Sequence, residues 1–394
     1  MIKYNKETVP MKKKTVFTAA AIVAGNGIGS GVMAIPYFVS KVGQTGGVIA
    51  FLTAYIISAL LHLMIAQIML TMGETSDILG AFNVYLFRGR FKNVFKIAFF
   101  IIMIVVLETN LAAYITGASA IMADFLPGVS EKLLGTVFFV LAAVIVLLGL
   151  RAVAIGENVT VSIMAVILLI ALFFSFRNIN PSMAIESIGF DTAGLMRLAA
   201  TYSMIMFSFS AIFAVPQVIE CLEHDAVKVR KSIYLGLFMN LVLSAVITFC
   251  TIITSKEVTK VAIVGWADAV GGIIRILGSV FIILAMFTSY WSIGFATTEI
   301  ISNQTKKTFG LSFILATVPA LLLTFLLSNG FMEYMKLAGG AVAVIISLMV
   351  IPTYLISVRG QKTSILTPIE ASKASVVIVF AMYIVMAVGS LISV

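Results

Sequence analysis

The sequence predicts an all-α polytopic membrane protein with eleven transmembrane helices. They form a five-plus-five inverted repeat with broken helices 1 and 6, plus one extra C-terminal helix. Hydrophobic residues make up 61% of the 394 residues and charged residues only 11%, whereas soluble domains carry about 25% charged residues. The apolar residues fall in long runs, and a helix needs about 20 of them to cross the hydrocarbon. A short motif in the first run also recurs in the sixth.

Eleven apolar segments define the predicted spans. They lie near residues 15–40, 46–72, 94–122, 134–150, 155–176, 195–222, 232–254, 273–302, 311–328, 333–356 and 374–393. Residues 1–14 are predicted to be a cytoplasmic tail. The apolar run that follows Lys12–Lys14 is too long for a cleavable signal peptide.

The net charge of +9 is explained by orientation in the membrane. If the N-terminus is cytoplasmic, most lysines and arginines fall on the inner side, as in Lys12–Lys14, Arg88–Lys96 and Lys228–Lys231. Cytoplasmic loops carry such an excess of positive charge. We therefore expect a multi-pass plasma-membrane protein in the lipid bilayer, with a cytoplasmic N-terminus, an external C-terminus and no nucleic-acid partner.

The first and sixth spans share a motif. Residues 31–36 read GVMAIP and residues 211–216 read AIFAVP, a constant offset of 180 residues. Five spans per copy force the second copy to insert upside down, and matching interrupted spans mark the binding site of many transporters. The predicted units are a first repeat at 15–180, an inverted second repeat at 190–358 and an eleventh helix at 374–393.

The first span contains the glycine-rich stretch GNGIGSG at residues 25–31. Four glycines in seven residues disfavour a continuous helix, and unwound backbone is tolerated in a membrane only where it is buried or lines a cavity. A nucleotide-binding loop is excluded, because Ser30 stands where G-x-G-x-x-G requires glycine. Close helix packing through two G-x-x-x-G pairs remains an alternative.

The sixth span offers Phe207, Ser208 and Ser210 but no glycine. The two serines are expected to pair with a local break in the backbone. The alternative is that each serine simply bonds the carbonyl four residues earlier in its own helix.

Breaks at mid-membrane expose two kinds of backbone group. The half-helix that begins near Gly31 presents free amides and a positive dipole end, which suit a carboxylate. Carbonyls at the ends near Gly27 and Phe207 suit an ammonium group or a small cation. Together they match a zwitterionic α-amino acid, with Phe209 and Phe213 as candidates for an apolar side-chain pocket.

The eighth span contains a candidate cation site. Ala285, Thr288 and Ser289 share one helix face, and the carbonyls of Gly25 and Ile28 complete a set of about five neutral oxygens. Hard cations prefer oxygen ligands, and an uncharged set suits a monovalent ion. The alternative is that both hydroxyls bond their own helix.

These residues resemble the amino acid–polyamine–organocation superfamily, which has the leucine-transporter fold. Residues 25–31 look like its unwound first helix, and the pattern at Ala285, Thr288 and Ser289 looks like its eighth-helix sodium ligands. Residues 31–37, GVMAIPY, are most similar to the amino acid/auxin permease and aromatic amino acid permease branches.

The resemblance implies roles for individual residues. Sodium is implied at Gly25, Ile28, Ala285, Thr288 and Ser289. The substrate site is implied at Gly27, Gly29, Ser30, Gly31, Phe207, Ser208 and Ser210, with the carboxylate on the amides of residues 30 and 31. Sodium-independent relatives carry a lysine in the fifth span, and residues 155–176 contain none, which favours sodium.

The chain also departs from that pattern. Val32 stands where a second sodium site needs a polar side chain, and Asn240 in the seventh span is a candidate remnant of that site. Ile104 occupies the place in the third span where some relatives have a substrate-binding tyrosine.

Other polar residues fall inside the predicted spans. Glu108 is expected to face the bundle as a proton site or a structural group, and His62 is either a proton relay or a satisfied buried histidine. Glu157, Glu220 and Glu299 are candidates for an inner gate that pairs with Lys12–Lys14. Residues 258–272 are a candidate external lid.

The leading functional hypothesis is a sodium-coupled symporter that moves an α-amino acid by alternating access. Proton coupling is the alternative within the same class, and a non-transporting amino acid sensor is the alternative outside it. No cofactor is expected beyond the coupling ion. An enzyme is not indicated, because no hydrolase or metallopeptidase motif is present.

Overall fold

The computed structural model describes residues 15–73, 77–180, 191–259, 262–326, 349–359 and 364–392. Helices and short connections account for this part of the chain. We number the helices as follows: α1 Val16–Ile28, α2 Ile35–Ser40, α3 Gly43–Met72, α4 Ile78–Tyr85, α5 Lys92–Ala123, α6 Glu131–Leu147, α7 Leu150–Arg177, α8 Thr192–Ser208, α9 Ala214–Cys221, α10 Ala226–Thr254, α11 Ala262–Val270, α12 Gly272–Thr305, α13 Phe309–Leu326, α14 349–357 and α15 Lys373–Gly389.

The helices confirm the predicted all-α membrane architecture. Six of them are long and apolar enough to cross a bilayer, and α1 with the segment Gly31–Ser40 forms a bent pair that makes a seventh span. The helices α8 and α9 together cover the predicted sixth span. Most of the predicted tenth span and the tail 1–14 lie outside the described residues, so the count of eleven stays a prediction.

The helix α1 lies at the centre of the bundle. Every residue from Ala19 to Ile28 is buried, and the helix packs against α7, α10 and α12. Its small side chains allow close approach, since a β-carbon at Gly236 of α10 would lie 2.5 Å from the carbonyl oxygen of Ala20. Small residues let helix backbones pack tightly in membranes.

The outer surface of the bundle is apolar. Val94, Ile97, Ile101 and Val105 on α5 are each more than half exposed, and α7 and α15 present similar rows. A soluble monomer rarely shows apolar patches of this extent. The surface therefore fits a lipid environment, as the composition predicts.

The connection before α15 is fixed to the start of α10. The guanidinium of Arg230 donates to both carboxylate oxygens of Glu370, at 2.8 and 2.7 Å, and to the carbonyl of Ile365 at 2.5 Å. Tyr234 donates a further hydrogen bond to Glu370, and Gln67 accepts from the amide of Ile365 at 2.7 Å. This network joins the end of α3, the start of α10 and the segment before α15.

Candidate functional site

The first span is broken at Gly29. This residue has φ 37° and ψ −176°, a left-handed conformation that glycine adopts at little cost. A 3₁₀ turn at Ser30–Met33 follows, and the two halves of the span meet at 59°. The break itself is as predicted. It is narrower than residues 25–31, however, because residues 25–28 remain in α1.

Gly25 and Gly27, the two glycines within α1, allow neighbouring side chains to pack closely against this helix. A β-carbon at Gly27 would lie 2.6 Å from the amide nitrogen of Asn240, and one at Gly25 would lie 1.7 Å from a carboxylate oxygen of Glu157. Of the two alternatives for residues 25–31, close packing therefore applies to Gly25 and Gly27, and opening of the backbone applies to Gly29.

The sixth span is broken between Ser208 and Ala214, and neighbouring helices satisfy its open carbonyls. Asn240 of α10 donates to the carbonyl of Ser208 at 2.5 Å, and Ser58 of α3 donates to that of Phe209 at 3.0 Å. The expectation that the local serines would pair with the break is therefore only partly right. Asn240, considered as a remnant of a second sodium site, instead caps the end of α8.

A narrow cavity lies between the two breaks. It is lined by Asn26, Gly27, Ile28, Gly29, Gly31, Asn110, Tyr114, Phe207, Ser208, Ser210, Phe213 and Ile293. The predicted substrate residues Gly27, Gly29, Gly31, Phe207, Ser208 and Ser210 all meet here. The side chain of Ser30 lies outside the described part. Phe213 lines the cavity as expected, whereas the fully buried Phe209 is not among the lining residues.

Two polar side chains of the cavity have no protein partner in the described part of the chain. They are Asn26, at both atoms of its amide, and Ser210, at its hydroxyl. Asn26 is 3% exposed, and a buried polar group without a partner costs about 1–3 kcal/mol. A polar guest that binds here recovers that cost.

Sequence reasoning missed four residues of the cavity, namely Asn26, Asn110, Tyr114 and Ile293. Asn26 lies in the glycine-rich stretch, and a polar residue between two glycines is the signal by which the sequence could have identified it. Asn110 and Tyr114 come from α5, where Ile104 occupies the place of the tyrosine that binds substrate in some relatives, and Ile293 comes from α12. Tyr114 lies almost three turns further along that helix, so the third span does supply a tyrosine to the cavity.

The predicted cation residues of α1 and α12 lie against each other. The hydroxyl of Ser289 is 3.2 Å from the carbonyls of both Gly25 and Asn26, so it bonds α1 and not its own helix. Thr288 donates to the carbonyl of Ala285 at 2.9 Å, as the self-bonding alternative expected for that residue.

Ile28 departs from the predicted cation cluster. Its carbonyl accepts from Ser208 of α8, at 3.4 Å. In this arrangement it belongs to the cavity between the breaks and does not turn toward α12.

Glu157 of α7 adjoins the same cluster, which the sequence did not indicate. Its carboxylate is fully buried, and neither oxygen has a partner in the described residues. The virtual β-carbon of Gly25 lies 1.7 Å from Glu157 Oε2 and 3.1 Å from Cβ of Thr288. Glu157, a candidate for the inner gate, is therefore enclosed beside α1, and its pairing with Lys12–Lys14 stays a prediction.

The other two gate candidates are Glu220, which is exposed at the end of α9, and Glu299, which lies toward the end of α12 beside Asp77. Asp77 caps α4 through the amide of Gly80 at 2.7 Å and accepts from Asn303 at 2.9 Å. Burial raises the pKa of the Asp77 carboxyl, and these hydrogen bonds oppose the shift. Glu299 lines a small pocket with Asp77. A pairing with Lys12–Lys14 lies outside the described residues.

His62 is a buried structural neighbour of the second break. Its Nδ1 lies 2.6 Å from the carbonyl of Ser58 and 3.2 Å from the hydroxyl of the same residue. That contact holds Ser58 beside the carbonyl of Phe209. Glu108 is 9% exposed and does not line the cavity described above.

Comparison with known proteins points to one family and one fold. The sequence profile described as the tryptophan/tyrosine permease family matches residues 12–390. No curated protein sequence matches the chain. A nucleobase-cation-symport-1 family transporter in a closed conformation with bromovinylhydantoin bound is similar in structure, with a TM-score of 0.66 at 13% identity over 96% of this chain and 90% of that one.

A second solved structure agrees with this likeness. The manganese transporter of Eremococcus coleocola, in complex with an aromatic bis-isothiourea substituted compound, has a TM-score of 0.65 at 12% identity, over 96% of this chain and 85% of that one. At such low identity these similarities establish a shared fold. That fold agrees with the transporter architecture expected from the sequence.

Proposed function

The chain belongs to the tryptophan/tyrosine permease family, a family of transporters, and from this premise we propose that it moves an α-amino acid across the membrane together with a monovalent cation. The substrate proposed is an aromatic amino acid, which the family's name suggests. Sodium is the proposed coupling ion and the proton is the alternative. The protein acts in the plasma membrane, with its N-terminus in the cytoplasm and its C-terminus outside.

One observation carries this proposal. The breaks in the first and sixth spans face one cavity, where the amide of Asn26 and the hydroxyl of Ser210 have no partner among the residues described. Interrupted membrane helices commonly form the substrate sites of transporters. A ligand with both hydrogen-bond donors and acceptors is needed to satisfy the amide of Asn26 and the hydroxyl of Ser210. The ammonium group and the carboxylate of an amino acid provide these donors and acceptors.

We place the amino acid across the two breaks. Its carboxylate lies on the amides of Ser30 and Gly31, where the second half of the first span begins. Its ammonium group lies near Gly27, Phe207, Ser208 and Ser210, beside the end of α8. Its side chain extends toward Phe213 and Ile293, which are apolar and line the cavity, and the hydroxyl of Tyr114 adds a polar contact.

The proposed sodium site consists of Gly25, Ile28, Ala285, Thr288 and Ser289. The contact of Ser289 with the carbonyls of Gly25 and Asn26 supports a site shared by α1 and α12. Binding of the ion rotates the carbonyl of Ile28 away from Ser208 and toward α12. The buried carboxylate of Glu157 keeps proton coupling as the alternative.

The two sites are adjacent at Gly29. A β-carbon on this residue would lie 3.5 Å from the hydroxyl of Ser289 and 3.7 Å from that of Tyr114, which belong to the cation cluster and the cavity respectively. Each ligand therefore orders the same backbone turn. Alternating access then follows if the doubly bound turn favours the occluded state, because ligands shift a conformational equilibrium only by differential affinity.

Two measurements test the proposal. Thermal unfolding of the purified protein is followed with a panel of amino acids, including L-tryptophan and L-tyrosine, in sodium or choline buffer. Uptake of the stabilising amino acid is then measured in proteoliposomes. We expect stabilisation and uptake with the same amino acid, both enhanced by the coupling cation. Stabilisation without any flux would instead identify a sensor, and no response to the panel would refute the amino acid substrate.

A further inference from the structure

We propose that Glu157 supplies the negative charge of the coupling-cation site, so that the cation carried with the substrate, sodium or a proton, binds at its carboxylate. This inference rests on the proposed function and adds an acidic ligand to the neutral set implied by the sequence. Sodium and the proton share the chemistry that matters here, because each brings a single positive charge to a site made of oxygen atoms.

The first argument is the position of the carboxylate. Glu157 reaches the backbone of α1 at Gly25, and a single methyl group there would collide with its oxygen. The adjacent Gly156 lets α7 approach α12, since a β-carbon at that position would lie 2.8 Å from the ring of Trp291. Both glycines thus provide the space that brings Glu157 to the junction of α1, α7 and α12.

The second argument is the lack of hydrogen-bond donors. The hydroxyl of Thr288 donates to Ala285, and that of Ser289 donates to the carbonyls of α1. These hydroxyls therefore offer only lone pairs to the space around Glu157, whose two oxygens have no partner in the described residues. A group of acceptors without a donor is completed by a cation or by a proton on the carboxyl.

The third argument is the absence of a compensating charge in the described helices around it. The helix α1 has no titratable side chain, and Arg151 and Arg177 of α7, Glu131 and Lys132 of α6 and Glu220 of α9 are exposed. On α12, Arg275 and Glu299 are about 20 and 16 Å along the helix from Thr288. On α10, Lys228, Arg230 and Lys231 lie in its first two turns.

An unpaired charge at this place is unfavourable. Burial of an ionised carboxylate inside a membrane helix is costly, and such residues usually mark ion or proton pathways. A water molecule supplies two donors but leaves the charge in place. A bound cation neutralises the charge of the carboxylate. Release of the cation to water leaves the carboxylate charged and buried again, and this cost couples cation release to the conformational change.

The experiment uses the full-length protein in proteoliposomes, with the amino acid identified by the thermal panel as probe. An inward sodium gradient at constant pH and an inward proton gradient in sodium-free buffer are applied separately to the wild type. This step identifies the cation. The same gradient is then applied to E157Q, with E131Q on the exposed end of α6 as the matched control.

We expect E157Q to keep counterflow exchange of the amino acid but to lose gradient-driven accumulation by at least tenfold, while E131Q keeps both. Exchange reports a folded protein with an intact substrate site. If E157Q accumulates substrate to the wild-type level under the same gradient, the proposal is wrong.

A second measurement covers the case in which E157Q does not fold. The wild type is treated with dicyclohexylcarbodiimide, which labels buried protonated carboxyls, and the label on Glu157 is quantified by mass spectrometry. The fraction of Glu157 that is labelled should change with the concentration of the coupling cation, sodium or the proton, over the range that activates uptake. Constant labelling overturns the assignment of Glu157. If the wild type shows no uptake at all, the proposed transport function is wrong. The assignment of Glu157 is then tested by the labelling result alone.

Discussion

The hydroxyl of Ser208 lies 3.4 Å from the carbonyl oxygen of Ile28, and the two residues are 180 positions apart in the chain. Each is the last helical residue before the break in its span. The same offset separates the sequence motifs GVMAIP and AIFAVP. The two broken spans thus meet at equivalent positions, and their open ends lie side by side at the cavity.

The first prediction concerns the cap on the second break. Asn240→Ala removes the donor that bonds the carbonyl of Ser208 and leaves that carbonyl buried, which should lower the free energy of unfolding by about 1–3 kcal/mol. Denaturation of the purified protein in detergent measures the loss. Thr248→Ala is the control, because the Thr248 hydroxyl only donates to the carbonyl of Ser244 within its own helix. Equal losses in the two variants would argue against the capping role.

The break of the first span could be located from the sequence, but that of the sixth could be placed only approximately. Gly29 encodes its own left-handed turn, and a glycine-rich stretch inside an apolar run is a local signal. The second break depends on Ser58 and Asn240, which come from α3 and α10. A dependence on distant helices leaves no pattern in the residues near the break.

The second prediction concerns the unpartnered amide in the cavity. Asn26→Ala removes both atoms that lack partners in the described part of the chain, so the substrate-free protein should keep its stability or gain slightly. Affinity for the amino acid should fall about tenfold or more, because the contacts made by a buried polar group are worth about 1–3 kcal/mol. Calorimetric titration and thermal unfolding measure the two quantities separately. A large loss of stability with unchanged affinity would show that Asn26 is structural.

The third prediction tests the space beside Gly25. Gly25→Ala places a methyl group 1.7 Å from a carboxylate oxygen of Glu157, and this should displace the carboxylate and abolish cation dependence of uptake. Gly294→Ala is the control, since its nearest contact is 3.3 Å and its effect should be small.

A double variant sharpens that experiment. Glu157→Ala together with Gly25→Ala should restore protein stability relative to Gly25→Ala alone, because the collision is gone, while cation dependence stays lost. If the double variant is no more stable than Gly25→Ala, the contact between the two residues does not account for the effect.

The role of Glu157 illustrates what the sequence could not provide. Its position eight residues into an apolar helix indicated a site near the membrane surface. The glycine before it, however, lets α7 approach Trp291 of α12 closely, and this packing turns Glu157 toward α1. The cluster of Thr288 and Ser289 was recognisable because both residues share one helix face. The partner from α7 depended on a tertiary contact.

The fourth prediction concerns coupling between the two ligands. Thr288→Ala removes an oxygen of the proposed sodium site without touching the cavity, so sodium should no longer raise amino acid affinity. Linkage requires the reciprocal effect, that of the amino acid on sodium affinity, to disappear as well. Binding titrations of each ligand at several concentrations of the other measure both. A variant that kept full sodium dependence would show that the site assignment is incorrect.

The fifth prediction concerns pH and the anchor of the segment before α15. Burial acts to raise the pKa of the Glu370 carboxyl, but hydrogen bonds from Arg230, Tyr234 and Thr367 outweigh it and lower the pKa to about 2 from an ordinary value of 4.5. A carboxyl with a lowered pKa in the folded state stabilises the protein above the unfolded value, and this contribution is lost as the pH falls. The loss should therefore run from about pH 4.5 down toward pH 2.

Arg230→Ala isolates that contribution. At neutral pH it should reduce the free energy of unfolding by about 1.5–3 kcal/mol, the range for hydrogen bonds to charged groups, and the difference from wild type should narrow between pH 4.5 and 2. Lys228→Ala on the same helix is the control, because Lys228 pairs with Asp225 at an exposed position, where ion pairs contribute little to stability. A difference between Arg230→Ala and wild type that is constant across this pH range would mean that Arg230 stabilises the protein through contacts other than Glu370.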